Sequence, residues 1–248
     1  MKRGFSYGKQ QKVLQIFSEA MTSNQPLPEE YIDGYVIFMG RRFITDKRAL
    51  IPRLETEELV KYCLKFLREN SSIQVVADIG TGSGIIPISI AEKIDRPLRI
   101  YATDMSEEAL SLAQENYKLQ TSDYKKGSFD FLQWDLLQPI IAHLWGDISD
   151  EILITANLPY VREKEIDSWL IHEPRMAFLG GVQTGFELYE RFFEQLLAWK
   201  NRPKQCHVVI EFWLWQRDIA ETVFIWKNCS YTFFADLRGI ERFAHVQI

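Results

Sequence analysis

The amino-acid sequence predicts an α/β protein built on a mainly parallel β-sheet. From residue 74 onward, short β-rich runs alternate with helical runs at the spacing of βαβ units. The last two β-rich runs, 231–234 and 242–248, have no helix between them and are expected to form an antiparallel pair at one edge. The chain has 248 residues, 46% hydrophobic and 25% charged, the balance of a globular protein that can bury a sizeable core.

Each element follows from its local pattern. Residues 9–21 place Val13, Leu14, Ile16, Phe17 and Ala20 at helical spacing. Ser23-Asn24-Gln25-Pro26-Leu27-Pro28 reads as a linker. The stretch 31–45 holds two β-rich runs around Met39-Gly40-Arg41, which suggests a hairpin. Residues 54–68 carry Leu54, Leu59, Val60, Cys63, Leu64 and Leu67 between charges, an amphipathic helix. A strand over 74–77, a glycine loop and an apolar helix over 84–94 come next. Then come a strand at 98–102, a helix at 106–118 and strands at 128–132 and 151–155. A helix at 185–199, a strand at 206–211 and a helix at 215–226 lead to the final pair. The division expected is a short helix-and-hairpin segment over 1–52 and a larger domain over 53–248.

Composition narrows the function classes. The 29 Lys+Arg against 34 Asp+Glu give a net charge of −5, with no general attraction for nucleic acid or an anionic membrane. Cys63, Cys206 and Cys229 are odd in number and widely spaced, fitting neither a disulfide framework nor a zinc ribbon, so a reducing compartment is expected. Residues 1–11 lack the apolar core of a secretory signal. The most apolar run, 208–215, is broken by Glu211, so no membrane span is expected. These observations point to a cytoplasmic protein. His143, His172, His207 and His245 lack ligand spacing, so no metal is expected. Ser83 has no His–Asp partner in sequence context, which argues against nucleophilic catalysis. The basic runs 9–12 and Lys125-Lys126 read as solvated faces, and Trp213, Trp215 and Trp226 as core or interface.

The most informative segment is Asp78-Ile79-Gly80-Thr81-Gly82-Ser83-Gly84, after an apolar strand and opening a helix. Glycines permit positive φ and close backbone approach to a ligand. The third glycine comes too early for a dinucleotide fingerprint, and no Lys-Ser or Lys-Thr follows as in a P-loop. Asp104 lies 20 residues beyond Gly84 at the end of the next strand, placed to accept both hydroxyls of a ribose; an Asp there also suits a helix N-cap. Asp135, followed by Leu136, ends the third strand, where a carboxylate accepts from an adenine amine or serves a turn. Three strand ends of this kind share one crevice at the carboxyl edge of a parallel sheet. They favour an adenosine-containing ligand without a pyrophosphate, a description that S-adenosylmethionine meets.

Asn157-Leu158-Pro159-Tyr160 follows the fourth strand. Pro159 keeps Leu158 out of the α region. The Asn157 side-chain oxygen and the Leu158 carbonyl then offer two acceptors for a planar –NH2, whose delocalised lone pair makes it a poor nucleophile. Held by both N–H bonds, its lone pair turns toward a methyl donor, and positive charge is stabilised as it develops. Tyr160 can stack on the planar group or face a sulfonium. The bland alternative is an Asx-type turn with proline punctuation.

On these motifs the chain resembles the class I methyltransferases that act on planar amino groups. More narrowly, it is similar to the HemK/PrmC family of protein-glutamine N(5) methyltransferases of peptide-chain release factors. The similarity extends over nearly all of 26–248 and includes Pro26-Leu27, Tyr31-Ile32 and Gly34. It also takes in Leu50-Ile51-Pro52-Arg53-Leu54-Glu55-Thr56-Glu57, Glu173-Pro174-Arg175-Met176-Ala177, Gly180-Gly181 with Gly185, Glu211 with Gln216, and Asp236-Leu237-Arg238-Gly239 with Arg242. The chain departs from the family at Leu158, where a second proline is usual, and at Trp213, where glycine is usual. Only residues 1–25 precede Pro26, room for one helix where the family carries a helical bundle.

The resemblance implies a Rossmann-like, seven-stranded methyltransferase sheet with S-adenosylmethionine as donor and a glutamine amide as acceptor. In that reading Asp78, Gly80, Thr81, Gly82, Ser83, Gly84, Asp104, Asp135, Leu136 and Asn157 serve the donor. Asn157, Leu158, Pro159 and Tyr160 serve the acceptor, with Asn157, Pro159 and Tyr160 as the catalytic group. The partner is a protein substrate, a release factor, presenting glutamine in a glycine-flanked loop, and nucleic acid is not expected as substrate. The alternatives are an adenine N(6) methyltransferase acting on RNA or DNA, and a non-catalytic donor-binding partner subunit.

Overall fold

The computed structural model describes residues 26–120, 127–138, 150–166 and 172–248. The expected helix over 9–21, His143 and the Lys125-Lys126 pair lie outside them.

The first described element departs from the reading of 31–45. Pro28 begins a short helix, α1 (Glu29–Asp33), with Glu29 and Glu30 in its first turn. Gly34 closes it at φ +74°, a conformation that costs glycine little. Tyr31 is therefore helical rather than extended, and its hydroxyl donates to the buried Ala49 carbonyl at 3.2 Å. The hairpin itself pairs β1 (Tyr35–Phe38) with β2 (Arg41–Ile44). Met39 and Gly40 turn it at φ +51° and +78°, both positive as a tight two-residue hairpin requires.

Helix α2 (Thr56–Glu69) leads to β3 (Val75–Ile79), α3 (Ile85–Lys93), β4 (Arg99–Asp104), α4 (Glu107–Gln120), β5 (Ser128–Gln133) and β6 (Glu151–Ala156). Two short strands, β7 (Val161–Arg162) and β8 (Leu179–Gly181), pair in parallel beside the turn after β6. Two- and three-residue strands carry too little periodicity to be read from sequence. Helix α5 (Glu187–Ala198), β9 (Gln205–Glu211), α6 (Arg217–Trp226), β10 (Ser230–Ala235) and β11 (Glu241–Gln247) complete the chain.

The main sheet has seven strands in the order β10-β11-β9-β6-β3-β4-β5. β9, β6, β3, β4 and β5 run parallel, while β11 pairs antiparallel with both β9 and β10. Period-two alternation divides the core. Val75, Ala77, Ile79, Ile152 and Ile154 face a layer with Phe192, Phe193 and Phe224 of α5 and α6. Val76, Ile100, Leu153 and Val209 face Leu59, Val60 and Leu64 of α2 and Ile88 of α3. The hairpin joins this second layer through the buried rings of Phe38 and Phe43, which meet edge-to-face at 6.2 Å. Burial on both faces explains why β3 reads as an apolar run interrupted only by Asp78. The three tryptophans read as core or interface are not in the core: Trp213, Trp215 and Trp226 are 47%, 37% and 86% exposed. No described helix is long and apolar enough to cross a membrane.

Strand order places the carboxyl ends of β3 and β6 side by side where the chain changes direction across the sheet. A crevice opens at such a switch point.

Candidate active site

A cavity of about 610 Å³ fills that crevice. Gly80, Thr81, Gly82 and Ser83 after β3, Asp104 after β4, Asp135 and Leu136 after β5, and Asn157, Leu158 and Pro159 after β6 all line it.

The glycine loop is held by backbone bonds. Thr81 N–H donates to Thr103 O at 2.8 Å, and Gly84 N–H to Thr81 O at 2.9 Å. Gly80 and Gly82 sit at φ +70° and +55°. A Cβ on Gly80 would come within 2.9 Å of Leu158 Cδ2, so the loop and the Asn157 turn approach as closely as glycine allows. Gly84 is not on the cavity wall. It precedes α3 at φ +80°, and a Cβ there would meet Ile88 Cδ1 at 2.9 Å and Ala113 Cβ at 3.0 Å, so its role is the packing of α3 against α4. Asp78 also lies off the wall, fully buried beneath the loop, where its Oδ1 accepts from Thr155 Oγ1 at 2.6 Å and ties β3 to β6. Burial pushes its carboxyl up to about 7 against that hydrogen bond.

Asp104 is bonded on both carboxylate oxygens by backbone amides, Oδ2 from Gly82 and Oδ1 from Ser106, each at 2.9 Å. The N-cap of α4 is not Asp104 but Ser106, whose Oγ accepts from Ala109 N–H at 3.2 Å. Asp104 is thereby left facing the cavity, and desolvation raises its pKa above the ordinary value. Asp135 is ion-paired with Arg191 through Oδ2. Its Oδ1 is buried with no hydrogen-bond partner among the described residues, an unusual state for a carboxylate oxygen in a cavity wall.

The Asn157 turn is organised by side chains from distant elements. Asn157 Nδ2 donates to Glu211 Oε2 at 3.1 Å and to Thr56 Oγ1 at 3.3 Å. Its Oδ1 and the Leu158 carbonyl have no partner among the described residues. Leu158 N–H donates to the Tyr189 hydroxyl at 2.9 Å, and that hydroxyl lies 3.2 Å from Ala156 O and is also bonded to Glu211 O. Tyr160 is not among the cavity-lining residues. Its ring stands against Trp213 with centroids 5.9 Å apart, and its carbonyl accepts from Gln216 Nε2 at 2.9 Å. The Tyr160 ring is thus placed against Trp213 behind the cavity-lining part of the turn.

Sequence reasoning did not single out Thr56, Tyr189, Arg191 or Trp134 as individual site residues, yet the first two hold the Asn157 turn and the last two line the cavity. Thr56 at least lay within the quoted segment 50–57. That segment is anchored by Glu173, which accepts from Ile51 N–H and Arg53 Nη2, each at 2.7 Å. No group of three or more His, Cys, Asp or Glu side chains among the described residues is placed to hold a metal ion.

Known proteins are similar to this chain in sequence and fold. Residues 56–144 match the family model described as ribosomal protein L11 methyltransferase (PrmA). The release factor glutamine methyltransferase of Bacillus cereus is 36% identical over 179 residues, 68% of this chain and 58% of the relative. That of Bacillus subtilis is 33% identical over 228 residues, 87% of this chain and 74% of the relative. The chain belongs to the release factor glutamine methyltransferase family. As a family member it spans 58% of the length of the first of these relatives. The solved structure of human methyltransferase 10 domain containing protein has the same fold, with a TM-score of 0.57 at 18% identity and 98% of each chain covered. The fold is thus that of the class I methyltransferases, as the sequence resemblance implied.

Proposed function

We propose that this chain transfers a methyl group from S-adenosylmethionine to the side-chain amide nitrogen of a protein glutamine, and that the protein is a peptide-chain release factor. The observation that carries the proposal is the pair of unengaged acceptors, Asn157 Oδ1 and Leu158 O, on the wall of a cavity shared with the glycine loop. The names of the relatives supply the acceptor class.

The residues present suit the donor. The backbone at Gly80 approaches so closely that a side chain would not fit, and Asp135 Oδ1 is a buried acceptor in need of a donor such as an adenine amine. Gly80, Thr81, Gly82 and Ser83 would hold the donor, Asp104 its ribose, and Asp135 with Leu136 its adenine. When bound, the donor would supply an electrophilic methyl group, its S–CH3 bond breaking as N–CH3 forms so that the sulfonium leaves as a neutral thioether, while the amide nitrogen gives up one proton to solvent.

The chain's own contribution is orientation and electrostatics. Asn157 Oδ1 and Leu158 O accept the two N–H bonds of a glutamine amide. This pyramidalises the nitrogen, aims its lone pair and favours the positive charge that grows on it. Leucine at 158 keeps the carbonyl that proline would offer, while its side chain fills the space against Gly80.

The test is mass spectrometry of a purified release factor, of RNA and of DNA after incubation with the protein and labelled donor. Methylation of one release-factor glutamine is expected. Methyladenine with glutamine untouched would move the assignment to the adenine methyltransferases. Donor binding without transfer to any acceptor would make the chain a binding subunit.

A further inference from the structure

Glu211 is 1% exposed at the end of β9, and nothing in the scheme above uses its carboxylate. Its Oε2 accepts from Asn157 Nδ2 at 3.1 Å and from Thr56 Oγ1 at 2.9 Å. The two ends of a carboxamide are almost identical in shape and differ in what they bond. A buried acceptor on one side therefore selects one of its two orientations. Asn157 Nδ2 occupies that side, and the oxygen is left for the cavity.

We infer, resting on the proposed glutamine methylation, that Glu211 is the positioning residue that turns the Asn157 oxygen into the cavity and polarises it toward the acceptor nitrogen. Hydrogen bonds in series strengthen one another. An amide N–H that donates to a carboxylate leaves more negative charge on its own carbonyl oxygen, and that oxygen meets the positive charge developing on the acceptor. Thr56 contributes by donating to the same Glu211 oxygen and fixing it in place.

The groups that act on Glu211 are Arg53 and Glu55 ahead of α2, Arg242 on β11, and the Tyr160 and Tyr189 phenols. Burial raises the Glu211 carboxyl to about 7, opposed by the Thr56 hydrogen bond and Arg242. As pH falls through that range the carboxylate takes up a proton and polarises Asn157 less. Transfer should therefore fall on the acidic side.

Two variants and one spectroscopic measurement test this. Glu211→Gln keeps an acceptor for both donors but removes the charge. It should lower kcat about tenfold, the difference between a charged and a neutral hydrogen-bond acceptor, leave the Kd for S-adenosylhomocysteine within about twofold, and abolish the acidic limb of the pH–rate profile. Glu211→Ala frees the Asn157 carboxamide and should lower kcat about a hundredfold, as a misplaced orienting group does. Wild-type kcat with an unchanged acidic limb in Glu211→Gln would overturn the inference. A wild-type protein that methylates no glutamine would instead overturn the function it rests on. The spectroscopic arm needs no acceptor. The side-chain amide resonances of Asn157, identified by their loss in Asn157→Asp, should titrate near neutral pH in the wild type and stay fixed in Glu211→Gln. Resonances that titrate identically in both would refute the coupling whatever the acceptor proves to be.

Discussion

The two walls of the cavity are built in different ways. The glycine-loop wall is made by backbone amides and one nearby carboxylate: the Thr81 amide bonds Thr103 O, and the Gly82 and Ser106 amides bond the Asp104 side chain. The Asn157 wall is made by side chains that arrive from elements far along the chain, Thr56 from 101 residues away, Glu211 from 54 and Tyr189 from 31. The first wall depends on glycines and strand ends, so on the proposed function its substitutions should act on donor affinity. A side-chain wall depends on the orientation of one carboxamide and one carbonyl, so its substitutions should act on rate or on stability.

Asn157→Ala gives the sharpest contrast. On the proposed function it removes a preorganised acceptor needed most in the transition state, so kcat for methyl transfer should fall by about 10²–10³, while calorimetry should find S-adenosylmethionine affinity changed by less than about threefold. Equal losses in both would erase the distinction between the walls.

Asp104→Ala should show the reverse pattern. Loss of hydrogen bonds to a charged acceptor corresponds to about 1.5–3 kcal/mol, or roughly 10- to 150-fold in donor Kd. At saturating donor, kcat should recover most of its wild-type value. Unchanged donor affinity in a folded Asp104→Ala protein would remove Asp104 from the site.

Tyr189→Phe probes the scaffold behind the Asn157 wall and should have the smallest catalytic effect. It leaves the Leu158 N–H buried without its acceptor, at a cost of about 1–3 kcal/mol, readable as a lower denaturant midpoint. Donor affinity should be unaltered. A midpoint equal to wild type would mean that Tyr189 is dispensable to the turn.

The same contrast explains which parts of the molecule were legible in the sequence. The parallel strands were, because β3, β6 and β9 are buried on both faces and read as apolar runs between helical patterns. The glycine loop and Asp104 were, because a strand-to-helix turn with positive φ leaves a fixed spacing in the sequence. Helix α1 was not, since five residues around Tyr31-Ile32 carry no helical period, and Pro28 with Gly34 defines it instead. The pairing of β7 with β8 was equally hidden, because the partners are too short to alternate.

Sequence alone thus determined the sheet, its antiparallel edge, the crevice and the residue types that surround it. Tertiary structure decided where each of those residues sits and what it touches. Gly84 packs at the α3–α4 contact, Ser106 rather than Asp104 caps α4, Tyr160 stands against Trp213, and Asn157 Nδ2 is held by Glu211 and Thr56. The physical reason is the range of the interactions. Hydrophobic period and backbone turn chemistry act over a few neighbouring residues and leave a pattern in the chain. The orientation of a side-chain amide is set by whichever partners the fold brings to it, and for Asn157 these are Glu211 and Thr56, on two other elements.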